Sequence, residues 1–233
     1  MPEKTHEPTE NFSFEDQLRA AAAHRAFGPE GPFQIDLSRL SDGASLHLVL
    51  GDNGSGKSFL VQRLAKVAHA AGCSPMQLSM GYRARSGVER QLMYGDEATQ
   101  STGLASLGVM RRAFRSMQGW GSNPHVALLD EPDIGLSDRF AYPMGQRIAM
   151  FAMTRPAGTK GVLVVTHSRA LVRGVLSELP SGESEPSVIL LGSRYKSLAN
   201  FLEEPAYATL DELEQLEEQN ITIRARVRTG APS

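Results

Sequence analysis

Apolar positions along this chain fall into two periods that take turns. Phe33, Ile35 and Leu37 alternate with Gln34, Asp36 and Ser38, the pattern of a half-buried strand, and Leu46, Leu48 and Leu50 alternate again after the turn signal Ser41-Asp42-Gly43. The two runs read as an antiparallel β-hairpin near the N-terminus. Three short runs are apolar throughout, Val126 to Leu129, Val162 to Val165 and Val188 to Leu191, and predict strands buried on both faces, with Met76 to Met80 as a shorter strand. Between them the period changes to helical. Phe14 to Phe27 carries Leu18, Ala21 and Ala22 at turn spacing, and Leu60, Leu64, Val67 and Ala71 share a face. Leu104, Leu107, Phe114 and Met117 share another, opposite Arg111, Arg112 and Arg115. Residues 139–154 and Ala170 to Leu179 supply two more helices, the first either starting late or kinked at Pro143.

Strands alternating with helices predict an α/β fold with a mainly parallel sheet covered by helices on both sides. Residues 12–202 read as one domain. Residues 1–11 are polar and expected to be disordered. Residues 203–218 are acidic, with Leu210, Leu213 and Leu216 at helical spacing, a solvated or partner-docking helix. Ile221, Ile223, Ala225 and Val227 then alternate with Thr222, Arg224, Arg226 and Arg228, a strand with a basic face that guards a sheet edge or meets an acidic surface. The segment 203–233 is expected to pack on the same domain.

Composition adds bounds. A chain of 233 residues, 41% hydrophobic and 21% charged, is enough for one domain with a substantial core. A net charge of -2 gives no global attraction to nucleic acid or membrane, so contact with nucleic acid would need a local patch. Cys73 is the only cysteine, which excludes an internal disulfide and suits a reducing cytoplasm. No apolar stretch approaches the roughly 20 residues that cross a bilayer. The N-terminus, with Glu3, His6, Glu7 and Glu10, lacks the pattern of a secretory signal.

The candidate chemistry starts where the Leu46–Leu50 strand ends. Residues 51–58 read Gly51, Asp52, Asn53, Gly54, Ser55, Gly56, Lys57, Ser58, a full match to G-x-x-x-x-G-K-[ST] set between a strand and a helix. The glycines let the backbone curl with its N–H groups inward. Lys57 can reach the β- and γ-phosphates of a nucleoside triphosphate, and the Ser58 hydroxyl can sit on Mg²⁺. The helix opening at Lys57 adds its positive end. The octet implies a P-loop NTPase.

Val126-Ala127-Leu128-Leu129-Asp130-Glu131 is a buried strand that ends in two carboxylates. Such a strand delivers them to the carboxyl edge of a parallel sheet, where ligands bind. Asp130 is placed to hold Mg²⁺, and Glu131 to orient and polarise the attacking water. His167 follows the Val162–Val165 strand and Thr166, so adjacent parallel strands would bring it to the same edge, within reach of the γ-phosphate or the water.

The order of these motifs, with Leu-Leu-Asp-Glu-Pro-Asp at 128–133, Gly-Leu-Ser-Asp at 135–138 and Val-Val-Thr-His-Ser at 164–168, resembles the ATP-binding-cassette ATPases. The likeness is to their soluble branch of chromosome-maintenance, recombination and phage-defence ATPases. It spans residues 51–168, about half the chain. The resemblance implies ATP and Mg²⁺ as ligands, a homodimer with ATP sandwiched between the copies, and an effector protein as partner. It makes Pro132 the proline usual after the acids, Asp138 the D-loop aspartate and His167 the switch histidine.

The signature loop Leu-Ser-Gly-Gly-Gln is missing from the sequence. Gln100-Ser101-Thr102-Gly103 is its nearest substitute, placing Ser101 and Gly103 at a helix start where they would face the γ-phosphate of the other copy. Ser101 comes only 44 positions after Lys57, so the helical subdomain of transporter cassettes is expected to be minimal or absent. Gln77 is the choice for the metal-sensing glutamine, with Gln100 its rival. Phe27 and Phe33 are read first as core residues, with stacking on adenine as the alternative. An ATPase that drives or gates a partner is the leading function. A nucleotide-gated binding module with little turnover is the alternative, ahead of a transporter's energising subunit.

Overall fold

The computed structural model describes residues 12–79, 102–179, 187–203, 209–216 and 222–223. Six strands form one sheet: β1 (Ile35–Arg39), β2 (His47–Gly51), β3 (Ser74–Ser79), β4 (His125–Asp130), β5 (Thr159–Thr166) and β6 (Ser187–Leu191). The helices are α1 (Phe14–Ala22), α2 (Lys57–Ala70), α3 (Thr102–Gly119), α4 (Asp138–Met153), α5 (Arg169–Glu178) and α6 (Leu198–Glu203). The strand order is β1-β6-β2-β5-β4-β3. Every pairing is parallel except β1 with β6. The α/β class expected from the alternating periods is what the chain adopts.

The expected N-terminal hairpin does not form. β6 lies between β1 and β2, pairing parallel to β2 and antiparallel to β1. The physical reason lies in burial: all five residues of β2 are buried, so it takes a parallel neighbour on each side, whereas β1 is half exposed and serves as the edge. Alternation told which residues are strand, not which strand sits beside which.

The crossovers explain where the helices go. The step from β2 to β3 runs across the sheet in one direction, whereas β3 to β4, β4 to β5 and β5 to β6 all run in the other. Right-handed crossovers then place α2 on one face and α3, α4 and α5 on the opposite face. The core divides accordingly. Leu48, Leu50, Ala127, Leu129, Val162 and Val164 face Met110, Phe114, Ile148 and Val172. Val49, Val126, Leu128, Leu163 and Val165 face Phe14, Leu18, Leu60 and Leu64 on α1 and α2. The apolar runs are unbroken in sequence because both faces of these strands are covered.

Helix ends follow local signals. The Ser13 side chain caps α1 by accepting from the Asp16 N–H, and α1 ends at Ala22, short of the expected Phe27; Arg25–Phe27 forms a separate 3₁₀ turn. α4 does not start late: it begins at Asp138 and runs through Pro143, whose missing N–H forfeits one bond in the second turn. α4 and α5 approach closely because Gly145 and Gly174 carry no Cβ; one added at either would meet the Leu171 or Tyr142 carbonyl at about 2 Å.

Between β3 and β4 the described residues form α3 alone. The expected disorder of 1–11 lies outside the described residues. So does most of the strand expected at 221–228, whose two described residues, Thr222 and Ile223, are helical. Residues 210–216 are helical, as their leucine spacing predicts. Among the described residues no helix is long and apolar enough to cross a membrane.

Candidate functional site

β2 and β5 are neighbours whose outgoing connections leave toward opposite faces, which opens a crevice beyond their carboxyl ends. Residues 51–58 occupy it. The loop turns at Gly56, with φ at +98°, and α2 starts at the next residue. A Cβ on Gly56 would lie 2.6 Å from the Phe33 ring, so glycine is required here both for its backbone and for its bareness. α2 has no side-chain N-cap and no acid in its first turn, leaving its first N–H groups available to an anion. The Ser55 hydroxyl is buried without a hydrogen-bond partner.

Lys57 is buried, and its Nζ donates to the Gly51 carbonyl at 2.8 Å and the Asp52 carbonyl at 2.7 Å. Burial lowers its pKa, opposed by the charges of Glu131, Asp130 and Asp52. The Asp52 carboxylate accepts from Arg194 Nη1 at 3.1 Å and from the Tyr195 hydroxyl at 3.0 Å. Both belong to the segment after β6, some 140 positions along the chain, and no local sequence pattern could have pointed to them.

Asp130 ends β4 in register with Ser79 of β3 and Val165 of β5. It is buried; Ser79 Oγ donates to Oδ2 at 3.3 Å, while Oδ1 has no hydrogen-bond partner. Desolvation raises its pKa, with a hydrogen bond from Ser58 as the chief opposing influence. A buried carboxylate with an orphaned oxygen, next to a hydroxyl at the start of α2, is a donor set that fits a hard divalent cation such as Mg²⁺. The register puts Gln77 opposite Leu128, two residues back from the edge, so the β3 residue in contact with Asp130 is Ser79.

Glu131 leaves the strand at φ +52°, the one non-glycine residue with positive φ among the described residues. This backbone is costly for a side-chain-bearing residue. Its N–H still bonds the Val165 carbonyl at 2.8 Å, which keeps the turn tied to β5. His167 comes from the end of β5, just before Ser168 caps α5. Its Nδ1 lies 3.3 Å from Glu131 Oε1. The pair shifts in concert: His167 holds the Glu131 carboxyl below its usual pKa, and Glu131 raises that of His167. Behind them Thr166 Oγ1 donates to Asp133 Oδ1 at 3.0 Å and accepts from the Ser168 N–H at 2.9 Å. Asp133 closes the Leu-Leu-Asp-Glu-Pro-Asp string, which is where its signal lay.

Lys57, Ser58, Asp130, Glu131 and His167 thus converge on one edge. Scans against known protein families, curated proteins and solved structures find no match to this chain. The chemistry of the edge therefore rests on its own residues.

The remaining expectations divide. Ser101 and Gln100 lie outside the described residues. Gly103 is in the first turn of α3, where a Cβ would meet the Gly135 carbonyl at 2.8 Å. Asp138 is the exposed first residue of α4. Gly103 and the 135–138 segment are therefore adjacent within one chain. Phe27 and Phe33 are both buried and tilt against Phe59, the core role expected first for them.

Proposed function

We propose that this edge binds ATP with Mg²⁺ and hydrolyses the β–γ phosphoanhydride. The observation that carries the reading is the meeting of a glycine loop at an uncapped helix start, a buried lysine and a buried carboxylate with an orphaned oxygen. Loop amides and the N–H groups opening α2 would receive the phosphates. Lys57, released from the Gly51 and Asp52 carbonyls, would place its charge on the β- and γ-phosphoryl oxygens. Ser58 and Asp130 would hold Mg²⁺, which supplies charge neutralisation on the phosphates when bound.

Glu131 holds and polarises water, accepting its proton as the water oxygen bonds to the γ-phosphorus and the bond to the bridging oxygen breaks, yielding ADP and phosphate. His167 keeps the Glu131 carboxylate charged and oriented through the 3.3 Å contact. The dimer with ATP between two copies, and output through an effector protein, belong to the same proposal by resemblance to cassette ATPases. A nucleotide-gated module with little turnover is the second reading, favoured by the missing signature loop, which makes the site depend on a partner.

Calorimetric titration of ATP–Mg²⁺ into wild type and Lys57→Ala tests the site. Micromolar binding by wild type, weakened at least about tenfold by the substitution, is expected. Absence of binding by wild type would overturn the reading.

A further inference from the structure

Seven large hydrophobic side chains are exposed among the described residues, and they fall in two places. Leu107, Phe140, Tyr142, Met150 and Met153 are on α3 and α4; Leu210 and Leu213 are on the acidic helix 210–216. Two of the first group, Leu107 and Phe140, help line a groove of about 560 Å³ between α3 and α4, together with Leu136, Pro143 and Met144, with Arg147 at its rim. Phe114 of α3 and Phe151 of α4, stacked with ring centroids 4.4 Å apart, hold the two helices together. Arg111 and Arg115 follow Leu107 at i+4 and i+8 and are exposed, so α3 carries positive charge beyond the residue it contributes to the groove.

The acidic helix has the complementary surface. Leu210 and Leu213 are 69% and 60% exposed and lie one turn apart. Asp211, Glu212 and Glu214 flank them, and Glu212 also caps the helix through Thr209. Leucines this exposed do not lie in the groove of their own chain. An amphipathic helix laid into an apolar groove is a common mode of recognition, and opposite charge at the two rims would fix its direction.

We infer that helix 210–216 of one copy docks in the α3–α4 groove of a second copy, Leu210 and Leu213 against Leu107 and Phe140, with its acids toward Arg111, Arg115 and Arg147. A reciprocal exchange closes a two-fold dimer. The groove is also bordered by Gly103 and Ser137, so docking would cover the start of α3 and the residue before α4.

Sedimentation equilibrium in nucleotide-free, low-salt buffer tests the docking without appeal to ATP. Wild type is expected to dimerise with concentration, and Phe140→Asp and Leu210→Asp/Leu213→Asp each to weaken the dimer at least about thirtyfold. An equimolar mixture of the two variants regains one intact contact and should associate at least about tenfold more tightly than either alone. Because all three changes are at exposed positions, the mixture also reports that both chains are folded. A wild type that stays monomeric, a leucine variant that still dimerises, or a mixture no tighter than its components would each overturn the proposal. Dimers that form without nucleotide while ATP–Mg²⁺ binding fails would sink the site reading alone.

Discussion

Glu131 Oε1 lies 3.3 Å from Nδ1 of His167, linking the end of β4 to the end of β5. The contact holds a carboxylate on a backbone at φ +52° that few non-glycine residues adopt. Strain of this kind persists where the surroundings fix it, and here two hydrogen bonds, one to the backbone of β5 and one to its histidine, do so.

Replacing His167 should therefore separate turnover from binding. His167→Ala is expected to lower the steady-state rate of phosphate release by about tenfold to a hundredfold, with ATP affinity changed only a few-fold. Equal loss of affinity would assign His167 to binding.

Asp130 carries two opposed expectations. Its raised pKa means that the buried charge costs stability when no cation shares it. Asp130→Asn should thus raise the thermal midpoint by a few degrees in metal-free buffer. The same change should weaken Mg²⁺-dependent nucleotide binding by about a hundredfold, and Ser79→Ala, which acts through Asp130, by about tenfold. Thermal melts with and without Mg²⁺, paired with titrations, read both.

Glu15 supplies the acid limb of stability. It is buried against His47, with Nε2 3.5 Å from Oε1, and accepts from the Gly43 N–H at 3.0 Å; the His47 contact leads in lowering its pKa from 4.5 to about 2. A folded-state pKa below the unfolded one contributes stability that is complete above about 4.5 and lost as pH falls toward 2. Glu15→Gln should lose about 2–3 kcal/mol at neutral pH and flatten the stability profile between those limits, as read by urea midpoints across that range.

Gly56→Ala combines an unfavourable φ of +98° with a Cβ driven into the Phe33 ring. A loss of about 1–3 kcal/mol is expected, together with loss of nucleotide binding, since the loop cannot keep its turn. Chemical denaturation and calorimetry would report the two effects.

The parts of this fold legible in sequence are those encoded locally. The buried strands around Val126–Leu129 and Val162–Val165 were visible because burial on both faces demands an unbroken apolar run. Strand order was not. The Phe33–Leu37 and Leu46–Leu50 runs have the look of a hairpin, and only the placement of β6 between them shows otherwise. At the candidate site the residues that end strands, Asp130 and His167, could be named because position along a strand is local. Ser79, Arg194 and Tyr195 could not, because their partners Asp130 and Asp52 are 51 or more positions away.

The central claim is hydrolysis at this edge, and phosphate release from ATP–Mg²⁺ by wild type and Glu131→Gln tests it most directly. The account predicts turnover by wild type and a rate at least about a hundredfold lower in the variant, which should still bind ATP. Equal rates in the two proteins would contradict it.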